Sequence, residues 1–126
     1  MEPTLFPKLA PYLVAHDARK LVRFIETAFG GKLTFEVPDS EGKLTHAELR
    51  IADGLVMVAD APKGRAPFPA MIHLYVEDSD KAYQRALAAG AKSVREPGDS
   101  GDGQRRGGVK DDWANEWWFS SPAKLK

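Results

Sequence analysis

The chain of 126 residues contains no cysteine. That absence excludes disulfides, thiol nucleophiles and Cys-ligated zinc. Neither charge is in excess, since Lys+Arg and Asp+Glu stand at 18 each, so nothing in the balance recruits nucleic acid or an anionic membrane. No apolar run approaches the roughly 20 residues that span a bilayer. The opening MEPTLFPKLAPYLV lacks a basic segment followed by a long apolar one, so no signal peptide is expected and a cytoplasmic protein is the default. What is present, 43% hydrophobic and 29% charged residues, reads as an ordinary globular chain with a real core.

The chain repeats itself once. PYLVAHDARKLVRFIETAFGGKLTFEV matches HLYVEDSDKAYQRALAAGAKSVREP, with Asp17 and Lys20 answering to Asp78 and Lys81. Each copy opens on a short apolar strand, followed by an Asp where a helix N-cap would accept orphan backbone N–H groups. Leu21, Val22, Ile25, Ala28 and Phe29 recur at helical spacing, as do Ala82, Tyr83, Ala86 and Leu87. Glycines end both helices, Gly30-Gly31 and Gly90, as the left-handed position after a helix prefers. Three strand-like runs then follow each helix, and proline-bearing APKGRAPFPA joins the copies. The expected unit is strand-helix-strand-strand-strand, twice.

The ordered set PYLVAHDARKLVRFIETAFGGKL, HAELRIADGLVMVADAP, HLYVEDSDKAYQRALAAGAKSVREP and GDGQRRGGVKDDWANEWWFSS resembles the vicinal oxygen chelate superfamily. That superfamily holds glyoxalases, bleomycin-resistance proteins and extradiol dioxygenases, and the likeness is greatest to its PhnB-like branch. The resemblance implies an α+β fold in which two βαβββ modules form an open, curved mixed-sheet barrel around a cleft, helices outside. It implies one domain over residues 1–126, with module 1 at about 8–60, a linker at 61–70 and module 2 at about 71–121. A homodimer is implied as well.

Enzymes of this superfamily hold a divalent metal through His or Gln early in a module's first strand and Glu in its last. Anchored on Asp17 and Asp78, those positions fall at Ala10, Met57, Met71 and Trp118. Alanine lacks a donor atom, thioether sulfur is soft and indole nitrogen only donates hydrogen. No metal and no other cofactor is therefore expected. A shifted pair, His73 with Glu116, is excluded by an expected separation of roughly 13 Å at about 3.3 Å per residue.

In THAELRI, His46, Glu48 and Arg50 share one face, either as a solvated strand face with Glu48 bridging His46 or Arg50, as a ligand-binding cluster, or as a metal site, for which His46 and Glu48 supply two ligands where a catalytic metal takes three. Alternation sends Tyr12, Val14, Met57, His73, Tyr75 and Trp118 toward the cleft, and Leu13, Val56, Val58, Ile72, Leu74, Trp117 and Phe119 toward the helices. The first set is either the lining of a small-molecule pocket or filler for the barrel. Arg105, in the hairpin connection GDGQRRGG, is a candidate for an anionic ligand group. GDSG lacks a His-Asp constellation and is no protease turn; GDGQRRGG has no GK[ST] and is no P-loop. Phe68 in the linker is a candidate for docking on a partner.

Three function classes follow. The leading expectation is a metal-free protein that binds an aromatic or amphipathic small molecule through Tyr12, His46, Glu48, Arg50, Met57, His73, Tyr75, Arg105 and Trp118, as bleomycin-resistance proteins do. The second is a metal-dependent lyase, isomerase or dioxygenase-type enzyme with a displaced site, or an acid–base enzyme. The third is a structural dimer module.

Overall fold

A computed structural model describes residues 7–123. The elements run β1 (Tyr12–Ala15), α1 (Ala18–Phe29), β2 (Lys32–Pro38), β3 (Leu44–Ile51), β4 (Gly54–Asp60), β5 (Met71–Tyr75), α2 (Ser79–Ala88), β6 (Lys92–Asp99), β7 (Gln104–Lys110) and β8 (Glu116–Pro122). They form two four-stranded sheets, β1-β4-β3-β2 and β5-β8-β7-β6. Each is mixed, pairing its outer first strand in parallel with its last. Neither sheet closes on itself. This is the α+β, twice-repeated βαβββ architecture that the sequence pattern predicts. The chain clusters into two compact units, one of residues up to 26 plus 30–68, the other of 27–29 and residues from 69 onward.

In the first unit, Leu13, Ala15, Ala47, Leu49, Ile51, Val56 and Val58 are buried, and so are Leu21, Val22 and Ile25 of α1. Ile25 of α1 and Ile51 of β3 converge on Gly31, where a Cβ would stand 2.8 Å from Ile25 Cγ2. Glycine is required there by close approach alone. Gly30 ends α1 in the left-handed conformation at φ 68°.

The start of α1 corrects an expectation. Asp17 sits at φ 60° and makes no side-chain cap. The cap comes instead from Asp60, at the end of β4, whose Oδ1 accepts from the Ala18 N–H at 3.0 Å. Its Oδ2 accepts from the Leu44 N–H at 2.7 Å, so one carboxylate ties α1 to the start of β3. In the repeat, Asp78 is extended and accepts from the Lys81 N–H at 3.1 Å, as predicted. Side-chain capping is made from an extended N-cap residue, and the left-handed backbone of Asp17 does not supply one, which is why the repeat misleads here.

The second unit is built on Trp117, Phe119, Val109 and Ile72, all buried. Phe29, which clusters with this unit, brings its ring centroid within 4.8 Å of Trp117. The turn into β8 is organised by the buried carboxylate of Asp111. Its Oδ1 accepts from the Trp113 and Asn115 N–H groups, each at 2.9 Å. Its Oδ2 accepts from Asn115 Nδ2 at 3.0 Å and from the Trp117 indole N–H at 2.8 Å. Four donors satisfy a charge that would otherwise be costly to bury.

Candidate functional site

Alternation along β1, β3 and β4 places Tyr12, His46, Glu48, Arg50 and Met57 on the face of the first sheet opposite its core. Register aligns them, with Met57 opposite both Tyr12 and Glu48. Three of these side chains form a hydrogen-bonded chain. The Tyr12 hydroxyl lies 2.9 Å from His46 Nδ1, and His46 Nε2 lies 2.8 Å from Glu48 Oε2. The imidazole is flanked by two rings, Tyr12 at 5.6 Å and Phe35 at 6.2 Å between centroids. Burial first, and the Glu48 charge second, push the Tyr12 phenol above its ordinary pKa. The phenol is therefore neutral at physiological pH. The Glu48–His46 contact is the bridge expected of a solvated strand face, and the Tyr12 hydroxyl extends it.

Beside that chain lies a groove of about 1010 Å³ contained within the first unit. Tyr12 and Val14 of β1 line it, together with Asp39, Ser40, Glu41 and Lys43 of the β2–β3 turn, Leu44 and Thr45 of β3, the end of β4 and linker residues 61–66 and 68. Phe68 is drawn in because its N–H donates to the Val14 carbonyl at 2.8 Å, making a one-residue bridge on the free edge of β1. Sequence reasoning reached Tyr12 and Val14 but missed the turn and linker walls. The one available signal was an aromatic residue between prolines in a polar linker.

The second sheet carries its own polar and aromatic face. His73, Tyr75 and Trp118 stand there, His73 opposite Trp118. His73 Nε2 is 3.0 Å from the Ser120 hydroxyl, and its ring meets Tyr75 edge-on at 4.7 Å. Burial first, and then the Arg106 charge, hold the His73 pKa below its ordinary value. Tyr75 is 81% exposed. Arg105 lies on the helix side, gripped by Asp80 through Nε at 2.6 Å and a terminal nitrogen at 3.0 Å, with Asp99 at 3.4 Å. These bonds, Asp80's foremost, raise the pKa of an already permanent cation.

The register also corrects the estimate made for His73 and Glu116. Met71 lies opposite Glu116, so His73 and Glu116 are two residues apart along the strands, about 7 Å at 3.3 Å per residue. The larger figure came from setting Met71 level with Trp118. Both side chains are nonetheless engaged elsewhere, His73 with Ser120 and Glu116 as acceptor for the Trp118 indole N–H at 2.9 Å. Among the described residues, no three His, Cys, Asp or Glu side chains are grouped to hold a metal. The positions where the superfamily resemblance puts ligands carry Ala10, Met57, Met71 and Trp118, and their donor chemistry does not fit a divalent ion. No described helix is long and apolar enough to cross a membrane.

Comparison with known proteins agrees with the architecture. Residues 8–119 match the model of the Glyoxalase/Bleomycin resistance protein/Dioxygenase superfamily, and the chain belongs to that family. It is 36% identical to the uncharacterized protein Mb0911c of Mycobacterium bovis, over 94% of this chain and 85% of that one. Among solved structures it resembles TioX from Micromonospora sp. ML1, with a TM-score of 0.79, 26% identity, and 93% and 99% of the two chains covered. It also shares its fold with the fosfomycin resistance protein FosX from Mesorhizobium loti, at a TM-score of 0.66 and 16% identity, over 98% and 95% of the two chains.

Proposed function

We propose that this protein binds an aromatic or amphipathic small molecule on its first unit, without a divalent metal, and acts by sequestering or carrying it. The groove beside β1 carries this reading. Its volume of about 1010 Å³ matches the upper end of the roughly 300–1,000 Å³ of small-molecule sites. Tyr12 and Phe68 supply apolar bodies, while turn and linker residues supply polar groups at the rim. Tyr12 lines the groove and contacts the ligand directly, while His46, Glu48, Arg50 and Met57, on the same sheet face outside the groove lining, are assigned to recognition beside it. The donor chemistry at Ala10, Met57, Met71 and Trp118 supports a site that works without metal.

The test is a thermal-shift screen of aromatic metabolites and antibiotics on untagged protein, with elemental analysis alongside. A ligand at 100 times its Kd stabilises by about 2.7 kcal/mol, so a weak binder registers. The expected result is a hit that survives EDTA and weakens on Tyr12→Ala. Stoichiometric divalent metal whose removal abolishes binding would overturn the proposal.

An acid–base enzyme is the second reading, favoured by the Tyr12–His46–Glu48 chain, and it predicts turnover that His46→Ala abolishes. We take the working form to be a cytoplasmic homodimer close to the PhnB-like branch. Exposed Phe35, Met71 and Tyr75 support a dimer, and a monomeric mass by light scattering would contradict it.

A further inference from the structure

Tyr12 belongs to two structures at once. It is the only member of the Tyr12–His46–Glu48 chain that also lines the groove. We propose that Tyr12 makes the groove selective for ligands that carry an N–H donor, a protonated amine above all, on an aromatic body. This deepens the binding reading above and rests on it.

The argument follows the protons along the chain. A neutral imidazole has one N–H and one bare nitrogen. An ionised carboxylate only accepts, so the contact with Glu48 Oε2 at 2.8 Å places the proton on Nε2. Nδ1 is then bare, and the group 2.9 Å from it must donate. That group is the Tyr12 hydroxyl. Having committed its single hydrogen to His46, the phenol offers only lone pairs to anything else that reaches it. A ligand group meeting Tyr12 in the groove must therefore be the donor.

Charge points the same way. The chain ends in a carboxylate, and its field reaches Tyr12. An ammonium group near the phenol gains from this field and from the face of an aromatic ring. A carboxylate meets repulsion and finds no hydrogen to accept. The rest of the rim does not decide the matter, because Asp39, Glu41 and Asp60 are matched there by Lys43, Lys63 and Arg65.

The test titrates the full chain at pH 7.5 with three indoles of similar body: tryptamine, 3-methylindole and indole-3-propionate. Tryptamine is expected to bind at least about tenfold more tightly than indole-3-propionate. In Tyr12→Phe that ratio should fall to within about threefold. Nitrogen chemical shifts of His46 in the wild-type chain give an independent readout, and the protonated nitrogen should be Nε2. A His46 protonated on Nδ1, a preference for the propionate, or a tryptamine preference unchanged in Tyr12→Phe overturns the inference. Equal affinity for all three also overturns it while leaving the binding reading intact. If none of the indoles binds, the aromatic-ligand reading falls and this inference with it.

Discussion

The indole of Trp118 lies on the backbone of Gly108: a Cβ added to that glycine would stand 2.7 Å from the indole carbon Cδ2. The two residues are partners across β7 and β8, and neighbouring Gly107 faces Phe119 in the same way. A glycine pair inside a strand is unfavourable by itself; here it is the space that two large rings require. Gly108→Ala is therefore expected to cost about 1–3 kcal/mol through overpacking, read as a shift in denaturation midpoint. Adding Trp118→Ala removes the obstacle, so the double variant should lose less than the two singles together. Strict additivity would show that the indole is not what excludes the methyl group.

Asp111 holds the turn that presents both tryptophans. Asp111→Ala removes the carboxylate that accepts from the buried Trp117 indole N–H and from both Asn115 donors. Each unsatisfied buried donor costs about 1–3 kcal/mol, so a loss of at least about 3 kcal/mol is expected. Trp117 fluorescence should report the turn loosening. A thermal midpoint within 2 °C of wild type, a margin on the order of a few tenths of a kcal/mol, would contradict this account.

The two helix starts should respond in opposite directions. Asp78→Ala removes a working cap and should cost about 1 kcal/mol. Asp17→Gly relieves a left-handed backbone at φ 60°, so it should be neutral or stabilising by up to about 1 kcal/mol. Asp60→Ala should cost about 1–3 kcal/mol, because the Ala18 and Leu44 N–H groups both lose their acceptor. Urea titrations of the three variants decide the ranking, and equal losses for Asp17→Gly and Asp78→Ala would refute it.

His73 should impose a mild acid sensitivity. Its folded pKa lies below the ordinary 6.5, so the unfolded chain binds more protons as pH falls past that value. Stability from this group is thus complete above about pH 6.5 and declines below it until the folded pKa is passed. Histidine NMR titration should place His73 below the ordinary value, and Arg106→Gln should raise it only in part, since burial is the larger cause. A titration at or above 6.5 in the wild-type chain would remove the prediction.

Much of this fold is legible in the sequence because its determinants are local. Apolar spacing marks α1 and α2, Gly30 marks where the first ends, and alternation sorts Trp117 from Trp118. The repeat then supplies the order of elements. What escapes is set by residues far apart in the chain. Asp60 caps α1 from 42 residues away, and no local pattern distinguishes it from any aspartate that ends a strand. The offset of β5 against β8 decides how far His73 stands from Glu116, and hydrophobic period is silent on register. Among the candidate site residues, Tyr12, His46 and Glu48 were visible as same-face polar groups. The bridge from Glu48 to His46 follows from their places on one strand face, but the link from His46 to Tyr12 does not, since it depends on side-chain reach between β1 and β3. The groove walls at 39–43 and 61–68 gave no periodic signal at all.

The fit between Trp118 and Gly108 also constrains how this chain can change. Where the superfamily resemblance places a metal-binding glutamate, a Trp118→Glu substitution would uncover Gly108 and strip Glu116 of its indole donor in one step. Refilling that space needs a second substitution at 108, and that substitution carries the overpacking cost for as long as the indole remains. The two positions are coupled, so that a change at either is best accommodated by a matching change at the other, across the β7–β8 pair.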